Sequence, residues 1–414
     1  MYRFNYLAFL GISFLLSSGG GNAQQSAWCK HFGTARYDTC SAQVTDLAGN
    51  TYVAGHTFGV IGETNAGGAD VIVSKFNASG DLVWHRQFGT PKYDEASAMA
   101  LGGNGNIYVA GNTEGDLASP SLGESDVFVA ELTPAGERIW TAQVGTSADD
   151  HGYAIAVDSQ GNVYLGGETV GNMYATNTAC QDIFILKFAP DHSKTWGKQL
   201  GGLKDVEISG IAVNGDGNVF MCGTAEDLFA PASGAPDSFI AKLDSAGNVV
   251  WGKQFGTENI DGGGSLVLDS PGNIYVSGSM NASEPQVKTT IAAGYVARFT
   301  PDGTQVWLKQ WSAGLRKDTT GGDIIIGSHG KLYVSGSTGG SIFGTAAGLY
   351  DVYAIKLDTS GNDLWHTQFG SSGMDRGGVG VDSSGSIYIA GTTDGDLCGP
   401  NLGKDDVFLK KIVP

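Results

Sequence analysis

Apolar stretches of strand length recur along this chain in sets of four, separated alternately by tight glycine turns and by longer polar loops. The first stretch of a set is small and apolar, as in Ala96 to Leu101, Tyr153 to Val157 and Gly377 to Val381. The second follows a turn such as Asp158-Ser159-Gln160-Gly161-Asn162 and carries a tyrosine, recurring at Tyr52, Tyr108, Tyr164, Tyr275, Tyr333 and Tyr388, with Phe220 in the fourth set. The third begins at an aspartate, as in Asp126-Val127-Phe128-Val129-Ala130. The fourth holds a tryptophan, as in Ile139-Trp140-Thr141-Ala142-Gln143-Val144. These are labelled strands A to D, and no stretch of useful length carries a helical period.

Trp28, Trp84, Trp140, Trp196, Trp251, Trp307 and Trp365 follow one another at steps of 56, 56, 56, 55, 56 and 58 residues. A self-similar unit of this length with four strands marks a repeat architecture. The expectation is an all-β, seven-bladed β-propeller with four antiparallel strands per blade. Each tryptophan anchors one strand D near the wide outer edge, burying roughly 150–250 Å² between diverging sheets. The chain ends on Asp406 to Ile412, a strand C with no strand D after it, whereas Trp28 to Phe32 is a strand D with no strand C before it. The N-terminal strand is therefore expected to complete the last blade, which removes an open sheet edge.

Turn chemistry agrees with this reading. The A–B and C–D connections place glycine where a left-handed residue is needed. His192 takes the position of Gly80, Gly136, Gly247, Gly303 and Gly361, so a non-glycine residue with positive φ is expected there.

Composition adds a compartment. Arg3, the apolar run Leu7 to Leu16 and Gly21-Asn22-Ala23 read as an export signal, too short to span a bilayer, and no cysteine follows to mark a lipid anchor. Residues 1–23 are then the signal peptide and 24–414 a single propeller domain, seven units of about 56 residues. The reading is a secreted, cell-surface or periplasmic protein. Five cysteines (Cys29, Cys40, Cys180, Cys222 and Cys398) follow no repeat, and their pairing is not specified. A net charge of −18 argues against nucleic acid or an anionic membrane as partner.

The units resemble the bacterial seven-bladed beta-propeller repeat family, SBBP, over about residues 27 to 413. The resemblance rests on Trp251-Gly252-Lys253-Gln254-Phe255-Gly256-Thr257 and on Asp158 to Gly167, which match its Trp-x-x-Gln-Phe-Gly and Asp-x-x-Gly-Asn-x-Tyr-Val-x-Gly patterns. The stretch containing Tyr295, Trp311-Ser312 and Lys331 departs most. The family implies an exported bacterial repeat protein and supplies no catalytic motif to transfer.

Candidate chemistry concentrates on the loop-rich face, where the B–C and D–A connections lie. One ring of carboxylates opens strand A: Asp38, Asp94, Asp150, Asp205, Asp261, Asp318 and Asp375. A second precedes strand C: Asp70, Asp126, Asp182, Asp237, Asp351 and Asp406. Such rings would either crowd the channel mouth, binding a ligand or recruiting calcium, or cap backbone amides in their own turns. The favoured reading is turn capping. No cofactor motif is present. No Gly-x-Ser-x-Gly elbow, zinc spacing or phosphate-cradling helix start appears, which leaves His56 and His151 as the acid–base candidates. The B–C loops vary, with isolated aromatics at Phe58, Tyr174, Phe229, Phe343 and Tyr350.

Together these features favour an exported, non-enzymatic binding module for an extracellular protein or glycan. The alternatives are a hydrolase or lyase with an acidic site at the channel mouth, and a structural matrix component.

Overall fold

The computed structural model describes residues 26–413, apart from 179, 232–233, 285–288 and 315–316. The export signal expected over residues 1–23 lies outside the described residues. Seven four-stranded antiparallel sheets follow one another round a ring, and no helix occurs among the described residues. Blade 1 is Ala42–Thr45, Thr51–Thr57, Asp70–Phe76 and Leu82–Phe88, and blades 2 to 6 repeat that order.

Blade 7 takes strands A to C from Asp375–Val381, Ile387–Thr393 and Asp406–Ile412, and strand D from Ser26–Phe32 at the other end of the chain. The closing strand runs antiparallel, with Cys29 opposite Lys410 and Phe32 opposite Val407. Trp28 and Phe32 pack with Val53, Phe76, Ala390 and Leu409 across the junction of blades 7 and 1. A disulfide from Cys29 to Cys398 fastens the same strand to the B–C loop of blade 7.

Strands B and C form the core because they have neighbours on both edges and blades on both faces. Asp126–Leu132 is buried throughout, whereas strand D starts with two exposed residues, Arg138 and Ile139, and is half-buried from there on. Each tryptophan sits in strand D and reaches the next blade. The indole N–H of Trp28, Trp84, Trp196 and Trp307 donates to a C–D turn carbonyl of the following blade, at Ala78, Pro134, Ser245 and Thr359, over 3.1–3.3 Å. The turn glycine packs on the ring: a β-carbon at Gly80 would stand 2.7 Å from Trp28. His192 does have positive φ, 68°, and its imidazole stacks on Trp140 with centroids 4.4 Å apart while Nε2 meets Glu131 at 2.7 Å.

Candidate functional site

The loop-rich face is built from two local motifs. At the D–A corner, Asp94 folds the turn back on itself: Oδ2 accepts from the Thr90 amide at 2.5 Å and from the Thr90 hydroxyl at 2.9 Å, and Oδ1 accepts from Thr113. At the B–C loop, Asp70 Oδ2 accepts from the Ala66 amide at 2.8 Å and from Gln87 Nε2 at 3.0 Å. Gln87 also donates to the Gly59 carbonyl and accepts from the Ile61 amide, clamping the loop to strand D. The Trp-x-x-Gln-Phe-Gly run thus reads as an interblade contact, a loop clamp and a glycine. That glycine must be bare: a β-carbon at Gly89 would stand 2.4 Å from Asp70 Oδ1 and 2.9 Å from Asp94 Oδ2.

Asp38, Asp94, Asp150, Asp261 and Asp375 are fully buried in the wall behind the mouth. Burial pushes the carboxyls of Asp150, Asp261 and Asp375 up, against the hydrogen bonds from their turns. Asp205 and Asp318 are not part of this ring. Both are exposed, one residue ahead of the ring position, which Val206 and Thr319 occupy. Val206 donates to the Gln181 carbonyl as Asp150 does to Ser125, and Thr319 bonds the Thr338 hydroxyl. Equal spacing of aspartates in the sequence hid a shift of one residue.

The mouth itself is lined by the next position. Here strand A pairs with strand B as Thr39/His56, Glu95/Asn112, His151/Glu168, Glu207/Thr224, Gly262/Ser279, Thr320/Ser337 and Arg376/Thr392. No two pairs are alike, although residues on either side repeat. Blades 2 to 4 are acidic, blade 5 is small, and blade 7 brings a cation. Several strand B members also reach the next blade: Asn112 Oδ1 accepts from the Gly152 amide at 2.8 Å and Glu168 Oε1 from the Ile208 amide at 3.2 Å. Glu168 is thereby buried. Desolvation first, then the Glu207 charge, pushes its carboxyl up to about 8.

A cleft of about 510 Å³ opens between blades 2 and 3, lined by Tyr93, Glu95, Asn112, Glu114, Asp149 and His151 among others. Beside it Tyr153, Glu168 and Glu207 line a second space of about 440 Å³. His56 and His151 both stand at this side of the mouth. Tyr93 donates to Glu95 at 2.9 Å and lies 3.4 Å from His56 Nε2, and the His56 ring meets Phe58 and Tyr93 with centroids 5.8 and 5.4 Å away. Burial lowers the His56 pKa despite the nearby Glu95 and Asp38, so the neutral ring is favoured. Burial, reinforced by Glu95, raises that of Tyr93.

The loop aromatics divide in two. Tyr174, Phe229 and Phe343 fold back on their own blades, against Gly197, Gly252 and His366. Phe58 and Tyr350 stay at the mouth, Tyr350 beneath the Arg376 guanidinium at 5.9 Å. The sequence reading passed over Tyr93, Glu95, Glu168, Glu207 and Arg376. Glu95, Glu207 and Arg376 share the strand A position directly after the ring position, Glu168 is the strand B partner of that position in blade 3, and Tyr93 precedes Asp94; the signal in the first four is failure to repeat.

The SBBP family, described as a beta-propeller repeat, matches residues 83–118, 139–174 and 364–397, each match running from strand D into the following B–C loop. The chain carries this repeat. It is 22% identical over 367 residues to the regulatory protein FlaEY of Caulobacter vibrioides, an alignment covering 75% of this chain and 38% of that protein. It is 24% identical to the uncharacterized WD repeat-containing protein L264 of Acanthamoeba polyphaga mimivirus, covering 84% of this chain and 28% of that one. The chain therefore spans 38% of the first relative and 28% of the second. Among solved structures, the polysaccharide lyase Uly1 superposes with a TM-score of 0.52 at 10% identity, covering 96% of this chain and 94% of the other. That likeness is one of fold.

Proposed function

We propose that this SBBP beta-propeller repeat protein is an exported binding module that holds a protein or carbohydrate ligand on its loop-rich face, at the half of the mouth formed by blades 1 to 4. The observation that carries the reading is the ring of seven unlike strand A/strand B pairs. Repeated positions build the scaffold, and this level is free to vary because its side chains face the opening rather than a turn. Carboxylates dominate its blades 2 to 4, so the ligand presents hydrogen-bond donors or positive charge. The names of the two relatives, a regulatory protein and a WD repeat protein, fit an interaction role. Export is supported by the apolar run near the N-terminus and by the Cys29–Cys398 disulfide, a bond that persists in oxidising compartments. Removal of residues 1–23, leaving 24–414 as one domain, belongs to the same proposal.

The test is an array of glycans and extracellular proteins probed with wild type and with the double variant Glu95→Ala/Glu207→Ala. Retention by wild type that falls about tenfold or more in the variant supports the reading, since one or two charged contacts are worth that much. Retention equal in both, or absent from both, contradicts it.

A second reading, a hydrolase or lyase, has one specific observation behind it, the hydrogen-bonded group His56–Tyr93–Glu95 bordering the cleft. A neutral histidine beside a tyrosine hydroxyl suits proton transfer. Turnover of any polysaccharide in a panel by wild type and not by Tyr93→Phe would favour it over the binding module.

A further inference from the structure

Two departures from sevenfold repetition meet inside the central channel. This space, about 440 Å³, is walled by strand A of every blade. At one level of the wall, six blades place Met99, Ile155, Ile211, Leu266, Ile324 or Val379, and blade 1 places Gln43. The adjacent level is alanine, glycine or serine in six blades and Asp323 in blade 6. Both polar side chains lie against Gly378 of blade 7. A β-carbon there would stand 2.1 Å from Asp323 Oδ2 and 3.5 Å from Gln43 Cγ.

Gln43 is 9% exposed, and its Nε2 donates to the Tyr388 carbonyl at 3.1 Å, which fixes the amide's orientation. Its Oε1 is left buried with no hydrogen-bond partner among the described residues. A buried polar atom without a partner is costly, and Asp323 beside it is half-buried in the channel wall. Burial pushes the Asp323 carboxyl up, with the Val379 amide acting against it. What the site offers is a carboxyl group and a neutral amide oxygen, and a hard cation that keeps part of its water shell is the complement that would hold the carboxyl in its charged form.

We propose that Asp323 and Gln43 Oε1 bind a divalent cation of the calcium or magnesium class inside the central channel. The site is separate from the loop-face mouth and does not depend on what the mouth binds. The rival arrangement is a protonated Asp323 donating to Gln43 Oε1, which would need no ion.

Isothermal titration of the full chain, freed of metal with chelator, with calcium chloride and separately with magnesium chloride decides between them. The expected result is a single saturable site for at least one ion with a matching rise in melting temperature. That site is weakened about tenfold or more in Asp323→Asn and in Gln43→Leu, the loss of one ligand from a hard-cation site. Gln43→Leu restores the residue type of the other blades, so it keeps the test open if Asp323→Asn fails to fold. Glu95→Gln, at the mouth, is expected to bind as wild type does. Absence of binding and of stabilisation by either ion overturns the proposal, as does wild-type affinity in the Gln43 variant or loss of affinity only in Glu95→Gln.

Discussion

Glu168 is a carboxylic acid inserted where other blades use histidine, asparagine, threonine or serine, and its neighbours treat it accordingly. Ile208 and Gln181 donate to it, yet burial and Glu207 hold its pKa up, at about 8 against an ordinary 4.5. A folded-state pKa above the unfolded one means that stability from this group is full below about pH 4.5 and is lost as pH rises through about 8. Melting temperature measured from pH 4 to 9 should therefore fall more steeply in wild type than in Glu168→Gln. Asp150, Asp261 and Asp375 are raised in both proteins and cancel in the comparison. Parallel curves would show that Glu168 is charged and content in the fold. Single residues also mark the limit of reading from sequence. His192 was legible because glycine phase alone dictates backbone conformation. Asp205 and Asp318 were misplaced because a periodic letter one residue out of register looks the same as one in register.

At the scale of strands and turns, the repeat motif is explained residue by residue: tryptophan ties blade to blade, glutamine clamps the B–C loop, glycine makes room for two carboxylates. Strand identity and order were legible, since short apolar stretches and the turn glycines between them are local signals. Cysteine pairing was not, because Cys29 and Cys398 lie 369 residues apart and meet only once the ring closes. That separation gives the disulfide its importance. Cross-linking so long a loop removes on the order of 5 kcal/mol of chain entropy from the unfolded state, less any strain. Reduction of the wild type, or the Cys29→Ser/Cys398→Ser variant compared with wild type under non-reducing conditions, should lower stability by several kcal/mol in denaturant melts. An unchanged midpoint would mean that the strand D pairing alone holds the closure.

For the molecule as a whole, seven blades follow one another round a ring whose scaffold repeats and whose mouth does not, and a single cooperative unfolding transition is the expectation. The scaffold could be read from the sequence because it repeats. The mouth and the Asp323–Gln43 pair could not, since which positions converge depends on ring geometry that no local pattern encodes. Everything proposed for the mouth and the channel presupposes that the ring is closed by its own first strand, through Trp28, Phe32 and the register opposite Asp406–Ile412. The direct measurement is thermal unfolding of a chain that begins after Gly33, followed by circular dichroism and compared with residues 24–414. Loss of the single sharp transition and a melting temperature lowered by about five degrees or more, roughly what several kcal/mol implies for a chain of this length once one blade has lost its outer strand, is the result expected. A near-native, cooperative transition would contradict closure by the N-terminal strand.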